Sequence, residues 1–195
     1  MKHPLMHRTP PREQGVVLAI GLIILVVMTL IGVTAMTTTS LENRMAGNLK
    51  DWDLALQAGE AGLRDAETDI ATSGRVSGLT NAVVGCGAVT GTEQDGQCIS
   101  APSATTDIWQ TIDWTVGAAP TYYVQYGAKT SAAGYTSAEG YAALPRYIIE
   151  PVQDVGKPGD PLGFPHKIRT FRVTAVGYGG STQASVMLQS TYVLP

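Results

Sequence analysis

The sequence predicts an α+β protein. A long N-terminal helix, its first half transmembrane and its second half amphipathic, packs on a mostly antiparallel C-terminal sheet of about four strands. Three observations lead there. Residues 16–36 are apolar and carry no charge. From Met45 to Ile70, residues that can line one helical face recur at alternating spacings of 4 and 3. Within residues 119–195 the recurring pattern is short runs of β-branched and aromatic residues, the composition of strands.

Composition narrows the function classes first. Hydrophobic residues make up 44% of the 195 positions and charged residues 15%, against about 25% charged in an average globular chain. That balance excludes a coiled coil and a charged disordered tail. A net charge of −3 gives the whole chain no electrostatic footprint for nucleic acid. The chain has two cysteines and three histidines, with His3 and His7 in the first ten residues. A four-ligand zinc site is hard to assemble from that supply. Ser-His or Cys-His catalysis beyond the N-terminus would have to use His166 alone. No cofactor and no catalytic residue is expected.

The first segment, residues 1–15, carries Lys2, Arg8 and Arg12 against Glu13 and ends in Gly15. The apolar run begins at the next residue, Val16, and reaches Met36 without a charge. At 1.5 Å per residue its 21 positions span roughly 31 Å as a helix, about the hydrocarbon thickness of a bilayer. Basic residues ahead of it favour a cytoplasmic N-terminus, with the rest of the chain across the membrane. A plain signal anchor fits this segment. So does a cleaved secretory signal, because Val33-Thr34-Ala35 has small residues where signal peptidase reads. The run is long for a secretory signal, whose apolar region usually has about 7–15 residues.

A third reading comes from the flanks. No polar spacer separates Gly15 from the run, and the helical pattern continues past its end. Residues 37–73 extend the spine as an amphipathic helix whose expected inner face is Met45, Leu49, Trp52, Leu56, Gly59, Leu63, Ala66 and Ile70. Glu60 and Arg64 form a favourable i,i+4 pair. Gly74 supplies a stop. No proline interrupts residues 16–73, and Gly32 and Gly47 are the weak points.

These residues resemble type IV pilin-like proteins, and most closely the PilX-type minor pilins. The resemblance is carried by Gln14-Gly15 before the apolar run and by Leu41-Glu42-Asn43-Arg44-Met45-Ala46-Gly47-Asn48. It continues through Leu54-Ala55-Leu56-Gln57-Ala58-Gly59-Glu60-Ala61-Gly62-Leu63-Arg64-Asp65-Ala66-Glu67. It covers residues 14–67 well and the remainder more weakly. It implies a pilin-like fold and a structural, assembly-priming subunit of a type IV pilus, active in pilus biogenesis, twitching motility and adhesion.

The resemblance also implies that prepilin peptidase cuts after Gly15 and that Val16, the new N-terminus, is methylated. Implied partners are other minor pilins, the major pilin, a tip adhesin and the inner-membrane assembly platform. The protein would start in the inner membrane, head in the periplasm, and end in the extracellular pilus. Two positions depart from the family pattern. Val16 stands where Phe or Met is usual, and Ile20 stands at the fifth mature position, where most pilins have Glu. Without that carboxylate a position at or near the fibre tip is expected. Gly21 and Gly32 are small enough to let helices approach closely, and with Ile20 they are the expected bundle-packing positions. A minor pseudopilin of a type II secretion system and a soluble periplasmic binding domain released by signal peptidase are the alternatives.

The exported part opens with residues 74–118, a Gly-, Ser-, Thr- and Ala-rich region of poor periodicity expected to be irregular. It holds Cys86 and Cys98, expected to pair in an oxidising compartment. Trp109 and Trp114 are expected to face the core. Strands are expected over 122–126, 146–152, 168–178 and 183–194, with Gly179-Gly180-Ser181 turning the last two into a hairpin. One face of the sheet would cover residues 52–73 of the helix. In the loop before the third strand, Asp154 and Asp160 could contribute to a calcium site, although two carboxylates fall far short of the roughly 6–8 oxygens calcium takes. His166 there reads as a solvated loop residue. Lys167, Arg169 and Arg172 make a basic end that would face an acidic partner or DNA, or simply solvent.

Overall fold

The computed structural model describes residues 14–76, 83–86, 93–100, 105–117, 122–152 and 170–194. The chain divides into two compact units, residues 1–47 and 48–195. One α-helix, α1, runs Gln14–Thr72. It is long and apolar enough to cross a membrane, and its apolar window has no buried residue. Within this span Thr29 and Thr34, and just beyond it Thr37, Thr38 and Thr39, donate their hydroxyls to carbonyls three or four residues earlier, at 2.8–3.1 Å. Such back-bonding lets a hydroxyl sit in hydrocarbon without an unmet donor.

The second unit is α+β. After α1, a short parallel pair joins β1 (Val83–Val84) to β2 (Cys98–Ile99). Helix α2 (Ile108–Thr111) follows. Then come β3 (Val124–Gln125), a 3₁₀ turn at Ser137–Glu139, and strands β4 (Arg146–Val152), β5 (Thr170–Tyr178) and β6 (Ser185–Val193). β3 to β6 form one antiparallel sheet in sequence order. Gly179–Ala184 close the last hairpin, with the Gly179 N–H donating to the Ala184 carbonyl at 2.8 Å. The first strand is shorter than the aromatic run 122–126 suggests. Only Val124 and Gln125 pair with β4.

Register explains the core. Tyr147 lies opposite Ala175, Ile149 opposite Val173 and Pro151 opposite Phe171. With period-2 alternation these residues share one face, and Tyr147, Ile149, Phe171, Val173 and Ala175 pack with Ala66 and Ile70 near the end of α1 and with Val76 beyond it. The expectation of one covered face is incomplete. On the opposite face Ile148 packs with Cys86, Cys98, Ile108, Ile112 and Tyr123, and Trp109 and Trp114 lean on that cluster. The described stretches of residues 74–118, a region expected to be irregular, therefore supply a third layer containing α2. This is why Thr174, on the face expected to be wet, is fully buried.

The helix face also needs correcting. Gly59, Ala66 and Ile70 are buried as expected, and Leu56 and Leu63 are half-buried. Met45, Leu49 and Trp52 are 58%, 67% and 53% exposed. The buried positions are instead Ala55, Ala58, Gly59, Ala61, Gly62, Asp65, Ala66, Asp69 and Ile70. Small side chains fit here because the sheet comes very close. A Cβ on Gly177 would collide with backbone atoms of Ala55, Ala58 and Gly59. One on Gly62 would stand 3.3 Å from the Cβ atoms of Ala175 and Pro145.

Candidate functional site

The expected functional residues fall in both units. Gly15, Gly21 and Gly32 lie on α1 with nothing within 4 Å of the place a Cβ would occupy. Gly21 and Gly32 are eleven residues apart, close to three full turns, and so lie nearly on one side. Val16 is 61% exposed and Ile20 is 51% exposed. From Gln14 to Leu41 the helix carries no charged side chain. This surface offers a partner only apolar contact and close backbone approach.

In the second unit Cys86 and Cys98 form a disulfide. It clamps the β1–β2 pair and sits within the cluster under Ile148. Beside it Arg146, 3% exposed, lies over the Tyr123 ring at 4.4 Å and the Tyr178 ring at 5.2 Å. Its guanidinium donates to the Trp114 and Thr115 carbonyls at 2.9 and 3.1 Å. Tyr178 donates its hydroxyl to the same Trp114 carbonyl. Burial pushes the Tyr178 hydroxyl pKa up. A cleft of about 700 Å³ opens here, lined by Trp114, Val116, Tyr178, Gln183 and Met187 among others, with no charged residue among the described residues of its wall.

A second polar cluster fixes the end of α1. Asp69 is fully buried. Arg75 pairs with it through Nε at 2.8 and 3.1 Å and through Nη2. The other guanidinium nitrogen donates to the Glu93 and Asp95 carbonyls at 3.1 and 2.7 Å. Tyr147 donates to Asp69 at 3.0 Å. Burial works to lower the Arg75 pKa, but the hydrogen bond and charge of Asp69 outweigh it and the net shift is upward. Burial first, and Asp69 second, hold the Tyr147 hydroxyl far above its ordinary range. Losing one partner of a buried ion pair like this costs about 3–5 kcal/mol. One turn earlier Asp65 accepts from the Gly127 N–H at 2.8 Å and from the Thr130 hydroxyl. Burial raises its pKa above the usual carboxylate value.

The basic end takes a different form. Arg172 is held by Glu150 through two bonds of 3.0 and 2.9 Å across β4 and β5. Lys167, Arg169, His166, Asp154 and Asp160 lie outside the described residues. Sequence reasoning missed Asp65, Asp69, Arg75 and Arg146. Their one sequence signal is position: Asp65 and Asp69 are one turn apart, next to Gly62, Ala66 and Ile70 on the small-residue side of the helix.

Residues 14–64 match the PilX N-terminal family model. Residues 63–194 match the model of the type IV pilus assembly protein PilX C-terminal region. No curated protein and no solved structure matches. With an apolar N-terminal helix, a four-stranded antiparallel sheet and family matches running from residue 14 to residue 194, the chain belongs to the PilX family of type IV pilus assembly proteins.

Proposed function

We propose that this chain is a minor pilin at or near the fibre tip, matured by prepilin peptidase after Gly15 and methylated at Val16. The observation that carries the tip position is Ile20, exposed on a helix with no charged residue between Gln14 and Leu41. Such a helix leaves lipid for another apolar environment, and a bundle of like helices supplies one. A carboxylate at position 20 would be costly in lipid unless a neighbour's N-terminal ammonium paired with it. This chain has no such group to offer a subunit already in place. Its own Val16 ammonium can still meet a carboxylate on the next subunit. That one-sided bonding suits a subunit above the rest, beside a tip adhesin and other minor pilins, with the major pilin below. Assembly would pass through the inner-membrane platform and serve motility and adhesion.

Immunogold labelling of sheared pili tests the position. Label confined to fibre ends at low copy is expected. Regular label along the shaft contradicts it.

A further inference from the structure

We infer that the cleft lined by the Trp114–Val116 stretch and the β5–β6 hairpin is a binding site for a neutral saccharide. The inference goes beyond the pilin reading and does not depend on the chain's position in a fibre. The cleft has a volume of about 700 Å³, within the roughly 300–1,000 Å³ of small-molecule sites.

The chemistry of the wall selects the ligand. Trp114 and Tyr178 bring aromatic surface to it, and such rings pack against the C–H face of a sugar as against any apolar body. Thr115, Thr182, Gln183 and Ser185 line the same cleft, and all four are exposed. Their hydroxyl and amide groups each donate and accept, as do the hydroxyls of a sugar. Among the described residues of the wall there is no Asp, Glu, Lys or Arg. An anion therefore finds no cation to meet, and a cation finds no carboxylate. A wholly apolar ligand would leave covered hydroxyls and amides unpaired, at about 1–3 kcal/mol for each. A neutral ligand with an apolar face and a rim of hydroxyls meets both parts of the wall.

The wall is also built to hold its shape. Trp114 lies outside any helix or strand, yet its ring is fixed. The indole N–H donates to the Trp109 carbonyl at 3.0 Å, and the ring stacks on Tyr123 with 16° between the planes. Buried Arg146 donates to the Trp114 and Thr115 carbonyls, and the Tyr178 hydroxyl donates to that of Trp114. Among the described residues no carboxylate forms a salt bridge with Arg146, and its Nε is buried without an acceptor. The guanidinium rests instead over the Tyr123 and Tyr178 rings. An interior charge is thus given over to fixing two carbonyls of an irregular stretch. On the hairpin side the Gly179 N–H donates to the Ala184 carbonyl at 2.8 Å, and the Gly179 carbonyl accepts from the Ala142 N–H at 2.7 Å. A wall fixed before the ligand arrives lowers the ordering cost of binding.

A glycan array tests this with the full-length chain in lauryldimethylamine oxide, a detergent without a sugar headgroup. The probes are neutral oligosaccharides, sialylated and sulfated oligosaccharides, and neutral unglycosylated peptides. Neutral oligosaccharides should be retained, and calorimetric titration with the strongest of them should show saturable binding. Gln183→Ala should weaken that binding about tenfold, the equivalent of one lost hydrogen bond of about 1.4 kcal/mol. Ser185→Arg, which sets a long side chain at an exposed position of the wall, should abolish it, and Thr182→Arg on the hairpin should do the same. Retention of no neutral oligosaccharide would overturn the assignment. So would retention of acidic glycans alone or of peptides alone, or titrations that all three substitutions leave unchanged. None of these results alters what labelling of fibre ends says about the pilin reading.

Discussion

Asp65 shows how far a residue's role can depart from its sequence appearance. In the sequence it is one of several acids on a helix, and solvent is its natural surroundings. In the fold it is buried and holds a loop 62 residues away. The sequence could not disclose this, because the partner is a backbone N–H whose position depends on the whole sheet. The chemistry makes a prediction. Burial raises the Asp65 pKa above its ordinary 3.8. Between 3.8 and the raised value the unfolded state binds fewer protons than the folded state, so stability falls as pH rises through that window. Asp65→Asn removes this slope. The amide carbonyl still accepts from Gly127, and the Thr130 hydroxyl can rotate to accept from the amide nitrogen. In urea titrations the variant should therefore gain stability relative to the parent as pH rises from about 3 toward neutrality. A relative loss over that range would mean the charged carboxylate is net stabilising.

At the scale of elements, strands were legible and the inner helix face was half legible. The run Arg146–Val152 pairs as its composition suggests, and the hairpin at Gly179–Gly180 follows from its glycines. The inner helix face departs from expectation because its large apolar residues do not mark the core. Here the sheet approaches too closely for them. Ala55, Ala58, Gly59 and Gly62 mark the contact instead, and Leu49 and Trp52 stay exposed. On the pilin reading these two are left for the helices of other subunits. The third layer was illegible because its short pieces have no period, and it is held by the disulfide and the cluster under Ile148 rather than by repeating pattern. The Cys86–Cys98 bridge closes a loop with a separation of 12, worth about 3 kcal/mol in the chain-entropy model. Cys86→Ser and Cys98→Ser should each lose stability on that order in chemical denaturation, and the double variant should add little. Additive losses would contradict a shared bond.

Across the whole molecule, one continuous helix carries two kinds of surface. From Val16 to Met36 it is apolar and uncharged, with the threonine hydroxyls in that span turned back onto the backbone. From Ala55 to Ile70 it is a narrow ridge of small residues and buried acids that receives a sheet. Membership of the PilX family ties these halves to pilus assembly. If the chain enters the fibre as a processed pilin, as proposed, its mature N-terminus records the cut. Mass spectrometry of the chain recovered from sheared pili should find N-methylated Val16 as the first residue. Gly15→Val should leave the full-length chain in the membrane, because a cleavage site that needs close backbone approach has no room for a larger side chain. A mature chain beginning near Met36, as signal peptidase cleavage would produce, or one still beginning at Met1 in assembled pili, would contradict the account.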